Sequence, residues 1–316
     1  MSDPIERPYI LHMFTATPQM SPFDVNMAAD AGYQVIVPYC NVDGTMVTNL
    51  TQDAIFSRGP KGVSRTGIFI GGRDVMLAAD MLDTARKAMV PPFEVSVFAD
   101  PSGSYTTAAA LVALVERHLR KEFGMELGGK RVLIAGGTGA VGRVAAAMAA
   151  SLGADVAIAS HVDAARATRV SDEINERFGI KTTGVSTATP QALRQALADT
   201  EILLATAIAG IQVVSAEDLG HAKRLLIAAD VNAVPPEGIA GVNVMNDGKP
   251  LASAPGASTP GTTADGAIGI GALAIGNVKY QVEHRLFVRM RTAGKPVYLG
   301  FPEAFAEARA VAGELG

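Results

Sequence analysis

The chain has 316 residues, with 27 Lys and Arg against 31 Asp and Glu and a net charge of −4, a balance that excludes nucleic acid and anionic membrane as its main partners. Its single cysteine, Cys40, excludes a disulfide framework and a thiolate metal cluster. With 48% apolar residues, 33 Gly and no Trp, the composition fits a closely packed α/β protein of two domains.

Met1 to Arg7 lack the charged start, apolar stretch and cleavage site of a signal peptide, and no apolar run is long enough to span a bilayer, so a cytosolic protein is expected. From Tyr9 to about Gly124, short apolar runs (Tyr9 to Met13, Val35 to Tyr39, Gly67 to Ile70) alternate with helical patterns, notably Asp74 to Met89, which is a βα arrangement. A longer helical pattern, Thr106 to Phe123, leads into Leu127-Gly128-Gly129-Lys130, the entry to a second domain.

The run Arg131 to Ala135, then Gly136-Gly137-Thr138-Gly139-Ala140-Val141-Gly142, places a strand, a G-x-G-x-x-G turn and an Ala-rich helix in direct succession. A second strand, Asp155 to Ala159, closes the βαβ unit. This context points to a dinucleotide site built from Gly137, Thr138, Gly139, Ala140, Val141 and Gly142. In that reading Gly137 permits the tight turn, Gly139 lets the backbone approach a pyrophosphate, and Gly142 lets the helix pack on its strand. The second strand ends in Ser160 and His161 rather than the Asp or Glu of an NAD-selective site, with Arg166 and Arg169 beyond, so NADP is expected to be accepted alongside NAD.

Further on, the patterns give a helix from Ala164 to Phe178, a strand near Thr183 to Val185, a helix from Pro190 to Ala198, and strands Ile202 to Ala205 and Arg224 to Ala229. Thr206 and Ala207 follow the fourth strand of this domain, where the nicotinamide ribose is commonly met; Asn232 follows the next strand, facing the carboxamide or the substrate. Asn246 to Asp265 reads as a long irregular loop, and Gly269 and Gly276 as positions where a final helix approaches another backbone. The expected fold is therefore α/β: a substrate domain over 1–127, a Rossmann-type parallel-sheet domain over 128–265, and a helical segment over 266–316 returning to the first domain.

Met20 to Met27, Gly67 to Gly72, Phe98 to Thr107, the glycine turn, Asp230 to Pro236 and Gly269 to Lys279 together resemble the NAD(P)-dependent methylenetetrahydromethanopterin dehydrogenases of methylotrophic bacteria. The resemblance runs over nearly the whole chain. It is closer to the branch taking either nicotinamide cofactor than to the strictly NADP-dependent branch, which carries Arg where this chain has His161. The N-terminus and the stretch Ala254 to Thr263 are longer than the family pattern. The resemblance implies hydride transfer from the one-carbon bridge of methylene-tetrahydromethanopterin to NADP or NAD, in a homo-oligomer built on a trimer.

That reaction removes no proton, which suits a chain with five His, no metal-ligand cluster, no Tyr-x-x-x-Lys motif and no evident catalytic dyad. Lys279 matches a family Lys beside the pterin. Asp100 offers a carboxylate to the developing cation, although it and its neighbours Ser102, Ser104 and Thr106 also suit a helix cap. Asp24, Ser102 and Asn232 complete the expected substrate contacts. Methylene-tetrahydrofolate as substrate, or a protein that binds NADPH without turnover, are the competing readings.

Overall fold

The computed structural model describes residues 7–251 and 266–315. In chain order, β1 (Ile10–Phe14), α1 (Pro22–Asp30), β2 (Val35–Tyr39), α2 (Val47–Phe56), α3 (Pro60–Val63), β3 (Thr66–Ile70), α4 (Val75–Lys87) and β4 (Ser96–Ala99) precede the long helix α5 (Ser104–Phe123). Then come β5 (Arg131–Ala135), α6 (Ala140–Ser151), β6 (Asp155–Ser160), α7 (Ala164–Phe178), β7 (Thr182–Ser186), α8 (Pro190–Leu197), β8 (Ile202–Ala205), α9 (Ala216–Leu219) and β9 (Ile227–Asp230). The last elements are β10 (Asp247–Pro250), β11 (Ile268–Ile270), α10 (Ala272–Thr292), β12 (Tyr298–Leu299) and α11 (Phe301–Glu314). Among the described residues no helix is long and apolar enough to cross a membrane.

The chain divides into two compact units, one comprising residues up to Thr106 with Tyr280–Glu307, the other Thr107–Lys279 with the residues from Ala308 onward. Helices α5, α10 and α11 each supply residues to both.

The first unit is built on a parallel sheet of order β12-β4-β3-β1-β2. Its central strands β3 and β4 are buried at every position, which is why they read as unbroken apolar runs rather than alternating ones. Phe69, Phe98 and Phe287 stack with ring centroids 5.1 to 5.4 Å apart, so α10 seals the sheet with an aromatic plug. The chain leaves β1 toward one edge and β3 toward the other, which makes the carboxyl ends of β1 and β3 the switch point of this sheet.

The second unit carries a seven-stranded sheet of order β10-β11-β9-β8-β5-β6-β7, parallel except for β10 against β11. Its switch point lies between β5 and β8. Local signals set its helices: Asp163 caps α7 by accepting from the Arg166 amide, Gly179 at φ 65° ends it, and Thr189 with Pro190 opens α8.

Two expectations are corrected. Gly269 sits in β11, paired in parallel with β9, and not in a helix; a three-residue Ile-Gly-Ile run has no period by which to tell strand from helix. Asp247–Pro250 is a strand rather than loop, although its composition disfavours one. It is an edge strand, where Pro is tolerated, and it is tied to α5 by the 2.6 Å hydrogen bond between His118 Nε2 and Asp247 Oδ1. The rest of the expected loop, from residue 252 to 265, lies outside the described residues.

Candidate active site

At the carboxyl end of β5 the chain turns at Gly136, whose φ of 75° favours glycine. The tight turn was expected at Gly137; the structure gives it to Gly136, where a Cβ would fall 2.7 Å from the Ala207 nitrogen. Gly137 is required for a different reason, because a Cβ there would lie 2.8 Å from the Ile134 carbonyl oxygen. Gly142 packs as expected, its Cβ position lying 2.6 Å from Gly137 Cα and 2.8 Å from Thr206 Oγ1.

Gly139 is the N-cap of α6 and offers no side-chain acceptor to the helix amides. Its Cβ position makes only ordinary contacts, with the Gly136 and Thr206 oxygens 3.4 and 3.9 Å away. The first turn of a twelve-residue helix thus presents its amides, from Ala140, Val141 and Gly142, across a cradle that any side chain at Gly139 would begin to fill. That arrangement fits the pyrophosphate of a dinucleotide. Thr138 contributes its carbonyl to Arg143 Nε at 3.2 Å, and Arg143 in turn reaches Glu173 on α7 at 2.7 Å, which fixes the outer wall of the turn.

Ser160 ends β6, adjacent to β5 in the sheet. Its buried hydroxyl accepts from the Val162 and Asp163 amides at 3.2 and 3.4 Å, so its oxygen shapes the turn that displays His161. His161 is exposed, as are Arg166 and Arg169 in the first turns of α7, which places imidazole and guanidinium groups around the end of β6.

Thr206 lies buried after β8, its hydroxyl donating to the Ala135 carbonyl at 3.2 Å, and Ala207 abuts the Gly136 turn. Asn232 is not a free recognition group. Its Oδ1 accepts from the amides of Gly210 and Val234 at 3.0 and 2.9 Å, and its Nδ2 donates to the Pro236 carbonyl at 2.8 Å. Beneath it Asp230 accepts from the amides of Asn232, Gly238 and Ile239. Burial pushes the Asp230 carboxyl above its usual range, and the three amides recover only part of that shift. Sequence reasoning gave Asp230 no role. The available signal was Asp230-Val231-Asn232-Ala233-Val234, where each polar side chain accepts from the amide two residues on, as in two successive Asx turns.

In the first unit, Asp24 lies buried in the first turn of α1. Asp100 is fully enclosed after β4; one carboxylate oxygen accepts from the Tyr105 and Thr106 amides at 2.8 and 3.3 Å, the other from Thr106 Oγ1 at 2.6 Å. This carboxylate anchors the start of α5, both of its oxygens being engaged by groups of this chain. Ser102, two residues further on, is exposed and in the left-handed region at φ 52°, with its hydroxyl donating to the Gly72 carbonyl at 2.7 Å. Ser102 thereby bridges the carboxyl ends of β3 and β4. Next to it, at the end of β1, Thr15 and Thr17 share a 2.7 Å hydroxyl contact, and the Gly72 Cβ position lies 3.6 Å from Thr15 Oγ1. Strained backbone and polar side chains therefore gather at the switch point of this sheet. Lys279 belongs to the second unit, half-buried as the eighth residue of α10.

Residues 22–102 match the family model described as methylene-tetrahydromethanopterin dehydrogenase, N-terminal. The chain is 48% identical over 304 residues to the NAD(P)-dependent methylenetetrahydromethanopterin dehydrogenase of Methylorubrum extorquens, covering 96% of this chain and 99% of that protein. It is 33% identical over 241 residues to the bifunctional protein MdtA of the same organism, covering 76% and 82% of the two chains. Among solved structures, the shikimate 5-dehydrogenase of Listeria monocytogenes matches with a TM-score of 0.51 at 16% identity, over 94% of this chain and 95% of that one, a likeness of fold. On the identity shared along almost its entire length, the chain belongs to the NAD(P)-dependent methylenetetrahydromethanopterin dehydrogenase family.

Proposed function

We propose that the protein transfers a hydride from the one-carbon bridge of methylene-tetrahydromethanopterin to NAD(P)+, leaving methenyl-tetrahydromethanopterin. The observation that carries the reading is the uncapped start of α6 beside Gly136 and Gly139, in a chain 48% identical to an enzyme named for this reaction. When bound, the cofactor supplies the hydride-accepting carbon. The residues of this chain bind, orient and keep water away. The α6 amides hold the pyrophosphate, His161 with Arg166 and Arg169 accommodates the 2′ position of either cofactor, and Thr206 and Ala207 flank the nicotinamide ribose.

On the substrate side, Lys279 orients the pterin from the middle of α10, and Ser102 and Asp24 supply further contacts, with Asp100 fixing the Ser102 loop. No general base is required, because the carbon gives up a hydride and the flanking nitrogens share the positive charge. Reduced-nicotinamide absorbance tests the reading, with NAD and NADP each offered methylene-tetrahydromethanopterin and methylene-tetrahydrofolate. Turnover with the methanopterin substrate is the expected result; cofactor binding without turnover on either pterin overturns it.

The reading includes a cytosolic homo-oligomer built on a trimer. Its support in this chain is the apolar edge strand β2, Val-Ile-Val-Pro-Tyr, which leaves Val35 and Pro38 exposed. Mass in solution checks it.

A further inference from the structure

We infer that Asp230 and Asn232 are positioning residues that lock the loop after β8 to the loop after β9 and so hold Ile208 and Val234 out as the apolar wall for the nicotinamide ring of the bound cofactor. The inference rests on the proposed use of NAD(P), and it assigns a function to residues whose sequence suggests direct contact or none.

Three observations carry it. First, the loop after β8 exposes apolar side chains where a monomeric surface gains nothing from them. Ile208 is 82% exposed, Ile211 53%, and Val234 from the facing loop 51%. Second, this loop touches the phosphate-binding turn, since Ala207 leaves no room for a Cβ on Gly136. A dinucleotide whose pyrophosphate lies on α6 runs from that turn toward β8, so the apolar pair stands on the path of its nicotinamide half. Third, the loop is held by a polar relay of five backbone amides. Asp230 fixes the amides of Asn232, Gly238 and Ile239, and Asn232 fixes those of Gly210 and Val234.

The relay leaves its own trace in the sequence. A Cβ on Gly238 would sit 2.8 Å from Asp230 Oδ1, so any larger residue there displaces the carboxylate from its amides. The Gly210 Cβ position lies 3.8 Å from Val234 Cγ1, so the Asn232 contact brings the two loop tips side by side. A flat aromatic ring set against Ile208 and Val234 is shielded from water on one face, leaving the other for the incoming hydride.

The test compares NADH with ADP-ribose, which lacks the nicotinamide, by calorimetric titration of the full chain without pterin. Ile208→Ser removes about 50 Å² of apolar contact and is expected to weaken NADH binding about tenfold, leaving ADP-ribose affinity and Tm unchanged. Asn232→Ala is expected to weaken NADH as much or more while sparing ADP-ribose. NADH binding at wild-type strength in both Ile208→Ser and Asn232→Ala overturns the inference. So does equal weakening of NADH and ADP-ribose in Asn232→Ala, which marks a residue that merely supports the fold. If Asn232→Ala does not fold, Ile208→Ser decides the question, its side chain lying on the surface. Absence of pterin turnover in the wild type defeats the proposed reaction but leaves this binding comparison intact.

Discussion

Replacing Gly142 by Ala probes the glycine turn where the geometry is tightest. The added Cβ falls 2.6 Å from Gly137 Cα and 2.9 Å from Gly137 C, whereas carbon atoms in contact normally sit about 3.5 to 4.0 Å apart. The overlap of roughly 1 Å is with backbone, which has no rotamer by which to escape, and Gly137 is itself held by the hydrogen bond from its amide to the Ile134 carbonyl. Overpacking of this kind costs about 3 kcal/mol at the upper end of its usual range. Ala in place of Gly in a helix returns about 1 kcal/mol. The net loss is about 2 kcal/mol, close to thirtyfold in the folding equilibrium. Because α6 must move off the β5 turn to relieve the overlap, its first amides move too, and NADH affinity falls with stability. Urea unfolding read by circular dichroism gives the first quantity and NADH fluorescence titration the second. A Gly142→Ala protein with the wild-type unfolding midpoint and the wild-type NADH affinity would refute the close-approach reading of the turn.

The remaining predictions sample other parts of the molecule. Gly276→Ala on α10 meets nothing within 4 Å, so helix propensity acts alone and the unfolding free energy rises by about 0.8 kcal/mol; a loss of stability there would show an unrecognised contact. Asp100→Ala removes the acceptor of two amides and one hydroxyl at the start of α5 and is expected to cost about 2 kcal/mol, measured by urea unfolding. Asp230 carries a carboxyl raised by burial, so between its raised folded pKa and the ordinary 3.8 the native state binds more protons than the unfolded one. The stability this group contributes is therefore present in acid and lost as pH rises through the folded pKa, and the gap between wild type and Asp230→Asn widens on acidification across that window. A gap that narrows on acidification would contradict the assignment. His161→Asp places a carboxylate at the end of β6, which accepts from a ribose hydroxyl and repels a 2′-phosphate; kcat/KM for NADP relative to NAD is expected to fall about tenfold.

The nucleotide-binding half was legible because its chemistry is written in the backbone. A strand, a glycine turn and a helix in immediate succession leave few alternatives, and the helix over Ala164 to Phe178 and the strand over Ile202 to Ala205 emerge with the boundaries their periodicity and caps indicate. Elements that depend on partners far away in sequence were not legible. β11 is three residues long, β12 two, and each exists because a neighbouring strand, β9 or β4, already offers its edge. β10 is held by β11 and by a histidine on α5, which lies 129 residues away. Intrinsic preference at Asp247-Gly248-Lys249-Pro250 opposes a strand, and tertiary pairing overrides it.

The site residues show a different limit. A polar side chain that recognises a ligand and one that holds a loop look alike in a sequence, because both need the same donors and acceptors beside the same strand ends. Asp100, Ser160 and Asn232 all stand at or just after strand ends on the carboxyl edges of their sheets, where recognition groups are expected, and in each the polar atoms go to neighbouring backbone or hydroxyl groups instead. What separates them from His161 and Ser102 is exposure, 0%, 1% and 7% for the three, a property of packing rather than residue type. The two classes still depend on each other. Ser160 shapes the turn that presents His161, Asp100 fixes the helix start behind Ser102, and Asn232 sets the edge where Ile208 and Val234 emerge. A hydride donor and acceptor must be aligned to within a fraction of an ångström without help from proton transfer. In such a site the buried polar groups that fix loops bear on the rate as directly as the exposed ones that touch the ligand.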